Sequence, residues 1–171
     1  GRDKSAIIKY DIKNKKESEV LFEHPDVDVD NLDYSKKRKV LTDISYTTWK
    51  KERKFLDNGF ENIFKRISNE LNEYEIVITG MNKDENKFLI RTYSDRSLGA
   101  NYCYDLNSDI LKKLSDVSPW IDENQMAEMK PVTYKSRDGM TIHGYLTLPP
   151  GKDTKDLPVV INPHGGPWHR D

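Results

Sequence analysis

Two glycines follow a run of aliphatic residues near the carboxyl end of the sequence, in the order Val159-Val160-Ile161-Asn162-Pro163-His164-Gly165-Gly166. An uninterrupted aliphatic run between two prolines predicts a strand buried on both faces. Glycines directly after such a strand let bare backbone N–H groups approach a ligand. Acyl transfer needs such donors, because negative charge develops on the carbonyl oxygen in the transition state. The segment therefore predicts an oxyanion turn at Gly165 and Gly166, and the alternative is a plain tight turn.

The serine that would use this turn is absent from the sequence. α/β-Hydrolases carry their nucleophile on a Gly-x-Ser-x-Gly elbow, and none of the 171 residues form one. In that template the base follows the nucleophile, so His164 is expected to support the loop rather than to act as the base. Trp168 either lines a substrate channel or packs as an ordinary aromatic residue. We expect part of a catalytic apparatus without the groups that do covalent chemistry.

The histidines do not predict a metal site. His169 and Asp171 lie close to His164, but no second group of ligands with recognisable spacing exists elsewhere in the sequence. His143 belongs to the polar face of a predicted strand, and His24 precedes a proline in a turn. Both are expected to be surface residues. Neither a metal nor a cofactor is predicted.

Charge and hydropathy exclude several classes of function. The 28 basic and 29 acidic residues give a formal net charge of -1, which argues against a nucleic-acid partner. The one dense basic run, residues 36–39, is expected to be a solvated hairpin turn. No apolar run approaches the roughly 20 residues that a membrane span requires.

The compartment stays open between cytoplasm and periplasm. Residues 1–6 hold neither an initiator Met nor a signal-peptide core, and an artificial start is expected there. The single cysteine, Cys103, lies between two tyrosines in a strand-like run. A half-buried structural thiol is expected rather than a nucleophile.

Short strand patterns separated by polar turns fill residues 6–114. Residues 34–41 resemble residues 81–89, which places Val40 and Phe88 48 residues apart, and the pattern around Tyr10 returns at Tyr104. A repeat in the upper forties with about four strands per unit is typical of β-propeller blades. The predicted strands cover residues 6–12, 18–22, 31–34, 39–46, 75–79, 88–93, 101–104 and 110–114.

One segment breaks the strand pattern with a helical period. Its apolar residues recur at helical spacing, and Asn58 followed by Glu61 gives a cap-like start. The predicted helix is expected to cover a blade edge rather than to bind a partner. The stripe consists of Phe60, Ile63, Phe64, Ile67 and Leu71.

The pattern changes again after residue 114. Residues 117–130 show no sustained alternation and predict a linker between a first domain, residues 1–116, and a second, residues 131–171. The second domain opens with a predicted hairpin, residues 132–134 and 140–148, around the Asp138-Gly139 turn.

In this order, three pieces of the sequence resemble the prolyl oligopeptidase family of serine peptidases, nearest to its acylaminoacyl-peptidase and dipeptidyl-peptidase-like members. The pieces are Ser118-Pro119-Trp120, residues 136–148 and residues 157–167. The resemblance implies a mainly β fragment: partial β-propeller blades with one inserted helix, followed by the first strands of an α/β-hydrolase domain. It also implies that Gly166 gives one oxyanion donor, that Gly165 supports the turn, and that the parent enzyme cleaves short peptides through an acyl-enzyme.

Departures from the family limit the specificity that can be predicted. Members that grip a free peptide amino terminus use a glutamate pair from a propeller insertion, and no convincing copy exists here. Some members supply a tyrosine hydroxyl where this sequence has His164. Neither an aminopeptidase-type specificity nor the tyrosine form of the oxyanion hole is predicted.

Two other functions remain open from the sequence. An esterase would use the same turn, and a non-catalytic β-propeller binding module would carry a degenerate hydrolase tail. The fragment itself is expected to be inert. Unpaired edges of an incomplete sheet would allow it to associate with a second copy of the chain.

Overall fold

The structure, a computed structural model, describes residues 1–151 and 153–166. The chain is mainly β and divides into two compact units, Gly1–Asn124 and Gln125–Asp171. We refer to them as the amino-terminal and carboxy-terminal units.

Two antiparallel sheets open the amino-terminal unit. The first pairs β1 (Ile7–Asp11) with β2 (Lys16–Phe22), and the second joins β3 (Val29–Ser35), β4 (Val40–Thr47) and β5 (Lys51–Phe55) in chain order. The strands predicted at residues 6–12, 18–22, 31–34 and 39–46 are confirmed as β1 to β4. β5 was not predicted from the sequence, because Lys51 and Arg53 occupy its inward positions and mask the usual apolar alternation.

The helix α1 (Asn58–Glu70) follows β5 and confirms the predicted helical segment. Its cap differs from the sequence-based expectation, since the N-cap residue is Asp57 rather than Asn58. The Asp57 carboxylate accepts the backbone N–H of Phe60 at 2.7 Å. This bond spans three residues, as a cap requires, and it places the helix start one residue earlier than the Asn58–Glu61 pattern indicated.

A four-stranded antiparallel sheet in chain order completes this unit. It consists of β6 (Glu75–Met81), β7 (Lys87–Tyr93), β8 (Ala100–Asp105) and β9 (Ile110–Asp116). All four strands agree with the sequence prediction. Four antiparallel strands in chain order are the form of a propeller blade, which is the assignment that the repeat pattern predicts.

The repeated sequence segments occupy equivalent places in these sheets. Val40 begins β4 and Phe88 lies at the start of β7, while Tyr10 and Tyr104 are each the last residue but one of their strands. The turns after β1, β3 and β8 end on a residue in the left-handed region. These residues are Lys15 at φ 50°, Lys39 at φ 55° and Asp109 at φ 53°.

The main core lies between α1 and the four-stranded sheet, so the apolar stripe of the helix is used within its own unit. Ile67 is 1% exposed, and Phe88 on the sheet is 2% exposed. Phe55, the last residue of β5, packs against the edge of this cluster. The buried members are Phe60, Ile67 and Leu71 of α1 with Ile76, Phe88, Ile90 and Tyr104 of the sheet.

The carboxy-terminal unit begins at the last residue of a short 3-10 helix (Glu123–Gln125) and contains an antiparallel hairpin, β10 (Met129–Lys135) and β11 (Thr141–Thr147). Gly139 closes the turn at φ 86° and donates its N–H to the Ser136 carbonyl at 3.0 Å. The hairpin predicted around Asp138-Gly139 is therefore confirmed.

The buried strand predicted around Val159, Val160 and Ile161, between Pro158 and Pro163, is wrong for this structure. Residues 153–166 contain no strand, and Val159, Val160 and Ile161 are 81%, 92% and 84% exposed. A central strand needs a neighbour on each side and a layer over each face. Within the described residues of this unit, β10 and β11 are the strands that exist, and they pair with each other.

Candidate functional site

The candidate site is the turn formed by Pro163, His164, Gly165 and Gly166, all of which are exposed. Gly166 has φ 150°, a conformation that side chains with a β-carbon rarely adopt. A β-carbon built on Gly165 would have no heavy atom within 4 Å. The backbone of this turn is therefore open to a ligand, which is the property that an oxyanion donor requires.

A contact within the turn constrains the orientation of one peptide unit. The His164 Nδ1 lies 2.6 Å from the carbonyl oxygen of Gly165. Because a carbonyl oxygen only accepts, Nδ1 is assigned the proton. The peptide that carries this carbonyl also carries the Gly166 N–H, and in a planar trans peptide the two groups point in opposite directions. The position of His164 thus suits the loop-support role, which stays a prediction.

The carboxy-terminal unit offers no serine nucleophile within its described residues. Ser136 is the single serine after residue 125. Its hydroxyl is hydrogen-bonded to the Asp138 carboxylate and lies 3.2 Å from the Met140 carbonyl oxygen. Both contacts serve the β10–β11 turn. His143 is exposed on β11, opposite Thr133.

Trp168, His169 and Asp171 lie outside the described residues, so the channel-lining role of Trp168 stays a prediction. Within residues 1–151 and 153–166, no three His, Cys, Asp or Glu side chains converge as a metal site would require. Cys103 is a half-buried free thiol in β8, as expected from its sequence position.

One cleft in the amino-terminal unit is remote in sequence from the glycine turn. It has a volume of about 420 Å³ and lies among β3–β4, the start of α1 and the turns of the four-stranded sheet. Its floor is apolar, with Phe60, Met81, Phe88 and Leu106 among its lining residues. No residue of the candidate turn contributes to it.

The charged rim of this cleft is occupied by contacts within the protein. Glu85 accepts hydrogen bonds from the Ser35 hydroxyl and from the Lys37 N–H, the latter at 2.9 Å. Both terminal nitrogens of the Arg38 guanidinium, Nη1 and Nη2, contact the Asp57 carboxylate at 2.8 Å. The basic run at residues 36–39 is therefore a hairpin turn, as predicted, and Lys37 and Arg38 fasten it to neighbouring elements.

A buried ion pair joins β4 and β5. Asp43 is 0% exposed and accepts a hydrogen bond from Arg53, whose guanidinium also lies 4.9 Å from the centre of the Phe64 ring. Burial raises the pKa of Asp43 above its ordinary value, although the charge of Arg53 opposes the shift. This pair links sheet and helix, and its role is structural. Sequence reasoning missed it because the inward position of Arg53 depends on β5.

The comparisons with known proteins bear on the whole chain. Over its full length the chain is similar to dipeptidyl aminopeptidase BIII from Pseudoxanthomonas mexicana, with 25% identity over 178 residues. The chain spans about a quarter of that protein, 26% of its length. No family model matches the chain, and no solved structure matches it. Within the described residues, no helix combines the length and apolarity that crossing a membrane requires.

Proposed function

We propose that this chain is part of a serine-type peptidase of the prolyl oligopeptidase family, and that its glycine turn gives one donor of the oxyanion hole. The observation that carries the proposal is the similarity of the whole chain to part of a dipeptidyl aminopeptidase, together with the His164-Gly165-Gly166 turn. The mainly β architecture with blade-like sheets supports it.

In the proposed reaction, a serine hydroxyl outside these residues adds to the scissile carbonyl of a peptide and gives its proton to a base that also lies outside them. As the new C–O bond forms, the carbonyl π electron pair moves onto the carbonyl oxygen, which becomes negatively charged. The Gly166 N–H stabilises this negative charge by a hydrogen bond. Collapse of this intermediate breaks the C–N bond, the base returns its proton to the leaving amine, and an acyl-enzyme remains. Water then hydrolyses the acyl-enzyme, which releases the acid and restores the serine hydroxyl. One such donor is worth about 3 kcal/mol of barrier in well-studied enzymes. The proposed role of His164 is to fix the peptide plane that aims this donor.

The blades have a separate role in the proposal. By resemblance, they cap the catalytic domain and limit entry to short or unstructured peptides. The chain alone lacks the serine elbow and is proposed to be inert. Incubating it with chromogenic peptides and an activated ester tests this, and turnover that a serine-directed inhibitor abolishes would contradict it.

Specificity at the peptide amino terminus needs its own test. The relative is named a dipeptidyl aminopeptidase, whereas this sequence shows no convincing glutamate pair for a free amino terminus. The protein expressed from the complete reading frame should be compared on dipeptide p-nitroanilides with a free or an acetylated amino terminus. Equal kcat/KM on the two substrates is expected, and a strong preference for the free amine would show that another group in the protein binds it.

The same protein separates a peptidase from an esterase. Matched amide and ester substrates with one acyl group are the appropriate pair, because the oxyanion turn would serve both. Peptide turnover supports the proposal. Turnover of esters alone would replace it with the esterase alternative.

A further inference from the structure

The dense basic run at residues 36–39 forms the turn between β3 and β4, and the proposed function gives it no role. Four adjacent side chains of one charge repel one another, and contacts with carboxylates offset that repulsion. Lys37 and Arg38 of this turn also line the cleft of about 420 Å³ in the amino-terminal unit. The turn therefore combines a strongly charged tip with a position at the rim of an apolar cleft.

The Glu85 carboxylate is the first of two groups that hold this turn. One of its oxygens accepts the Lys37 N–H at 2.9 Å, and the other accepts the Ser35 hydroxyl. The Ser35 hydroxyl in turn accepts the Arg38 N–H at 3.0 Å. Burial raises the pKa of Glu85, but the hydrogen bonds that it accepts and the charge of Arg38 outweigh burial, so the pKa lies below its ordinary value of 4.5. These contacts therefore favour the charged carboxylate.

The second group is the Asp57 carboxylate, which also caps α1. It contacts Nη1 and Nη2 of Arg38, each at 2.8 Å. A β-carbon built on Gly59 would lie 3.2 Å from this carboxylate and 3.4 Å from the guanidinium, so the ion pair lies close against the first turn of the helix. Two carboxylates from two different elements thus hold one basic turn.

The elements that carry these carboxylates are themselves firmly fastened. The Asn82 side-chain oxygen accepts the Asn86 N–H at 3.0 Å, which fixes the turn that carries Glu85. Arg66 of α1 contacts Asp109 at 2.9 Å, in addition to the apolar core between the helix and the four-stranded sheet. Helix and sheet therefore form one frame, to which polar contacts near the surface hold the basic turn. A segment held in this way opens at a lower free-energy cost than a buried core.

We propose that residues 36–39 are a lid over the apolar cleft, latched by Glu85 and Asp57, and that release of this latch uncovers the cleft while the core stays folded. Phe60 and Phe88 line the cleft and are only 7% and 2% exposed with the lid closed. Because the latch joins opposite charges near solvent, salt weakens it. The inference concerns access to this cleft and is independent of the proposed peptidase chemistry.

Hydrogen exchange in the protein expressed from the complete reading frame measures opening of the lid. The amides of Lys37 and Arg38 are hydrogen-bonded when the lid is closed. Glu85→Gln keeps the shape of the side chain and removes its charge, so it should speed exchange of these amides about tenfold or more while exchange in β7 stays unchanged. Asp84→Asn is the matched control, because Asp84 contacts the lid through its backbone carbonyl, and it should exchange as the wild type does.

A cysteine placed in the cleft tests whether the lid covers it. Ile63 of α1 lines the cleft and is half-buried. In an Ile63→Cys variant, a maleimide should label this residue faster by the same factor when Glu85→Gln is added, and at an unchanged rate when Asp84→Asn is added. Mass spectrometry of the labelled peptide identifies the site.

The wild type gives a test that needs no substitution at the latch. Raising the NaCl concentration from about 0.05 M to about 1 M should speed exchange at residues 36–39 more than at the lysine-rich turn of residues 13–16. Exchange of the lid that responds neither to salt nor to Glu85→Gln would overturn the proposal. Lid opening without faster labelling at residue 63 would overturn it as well, and so would an equal rise of exchange in β7, which would mean unfolding of the whole unit.

Discussion

A β-carbon placed on Gly99 would lie 2.2 Å from the carbonyl oxygen of Thr92. Gly99 also has φ 67°, and the Thr92 side chain is 1% exposed and bonded to both backbone groups of Ala100. The loop between β7 and β8 therefore cannot move aside without breaking buried hydrogen bonds.

We predict that Gly99→Ala destabilises the protein by about 3 kcal/mol or more, because strain and a backbone clash act together. Urea unfolding followed by circular dichroism measures the change. Gly80→Ala is the control, since its new β-carbon would meet only the Leu89 side chain at 3.9 Å. A Gly99→Ala variant as stable as Gly80→Ala would contradict the described loop.

Removing Arg53 should leave a buried carboxylate without its partner. We expect Arg53→Met to cost about 3–5 kcal/mol of unfolding free energy, the usual penalty for breaking a buried ion pair. Adding Asp43→Asn to that variant should recover part of the loss. Lys54→Met is the control on the exposed face of β5 and should have a much smaller effect. The ion pair has no structural role if Arg53→Met behaves like the control.

The helix cap gives a prediction with a pH dependence. Hydrogen bonds from Arg38 and from the Phe60 N–H hold the pKa of Asp57 below its ordinary value of 3.8. Its contribution to stability is therefore present above pH 3.8 and is lost as the pH falls through the lowered pKa of the folded state. Asp57→Ala should cost about 1 kcal/mol near neutral pH.

Two companion variants separate cap from charge. Asp57→Asn keeps a capping acceptor but loses the ion pair, so its difference from the wild type should shrink as the pH falls below 3.8. Asn58→Ala removes the residue that the sequence pattern favoured as cap and should be nearly neutral in thermal melts. If Asn58→Ala lowered the stability more than Asp57→Ala, Asn58 rather than Asp57 would be the N-cap residue.

Left-handed turn residues offer a stabilising change. Lys15 has φ 50°, a region that asparagine tolerates better than lysine. Lys15→Asn should raise the unfolding free energy by about 0.5 kcal/mol, within the range of turn optimisation. Lys13→Asn, in the same turn but without a positive φ, should give no gain. Equal effects of the two variants would show that the φ of Lys15 does not limit stability.

The sequence predicted those helices and strands whose apolar pattern lies within the element itself. The apolar stripe from Phe60 to Leu71 predicted α1, and the strand patterns predicted eight of the strands in the amino-terminal unit. β5 was not predicted, because Lys51 and Arg53 point inward. The run at Val159–Ile161 predicted a buried strand wrongly, since burial depends on neighbours that a local pattern does not contain. The glycine turn was readable from residue types, whereas the contact between His164 and Gly165 required coordinates.

The candidate turn can be tested by graded substitutions in the protein expressed from the complete reading frame. Gly166→Ala keeps the backbone N–H, but a residue with a β-carbon rarely adopts φ 150°, so the substitution should misdirect the donor. We expect kcat to fall by about 10²–10³ with little change in KM, since the donor acts in the transition state. His164→Ala should lower kcat less, because it only positions that donor. An unchanged kcat for Gly166→Ala would show that the turn gives no oxyanion donor.

The most direct test of the central proposal is to map the serine that a fluorophosphonate labels in that complete protein. The proposal predicts one labelled serine, located after Asp171 within a Gly-x-Ser-x-Gly sequence. No labelled serine, or a label on any serine within residues 1–171, would contradict it.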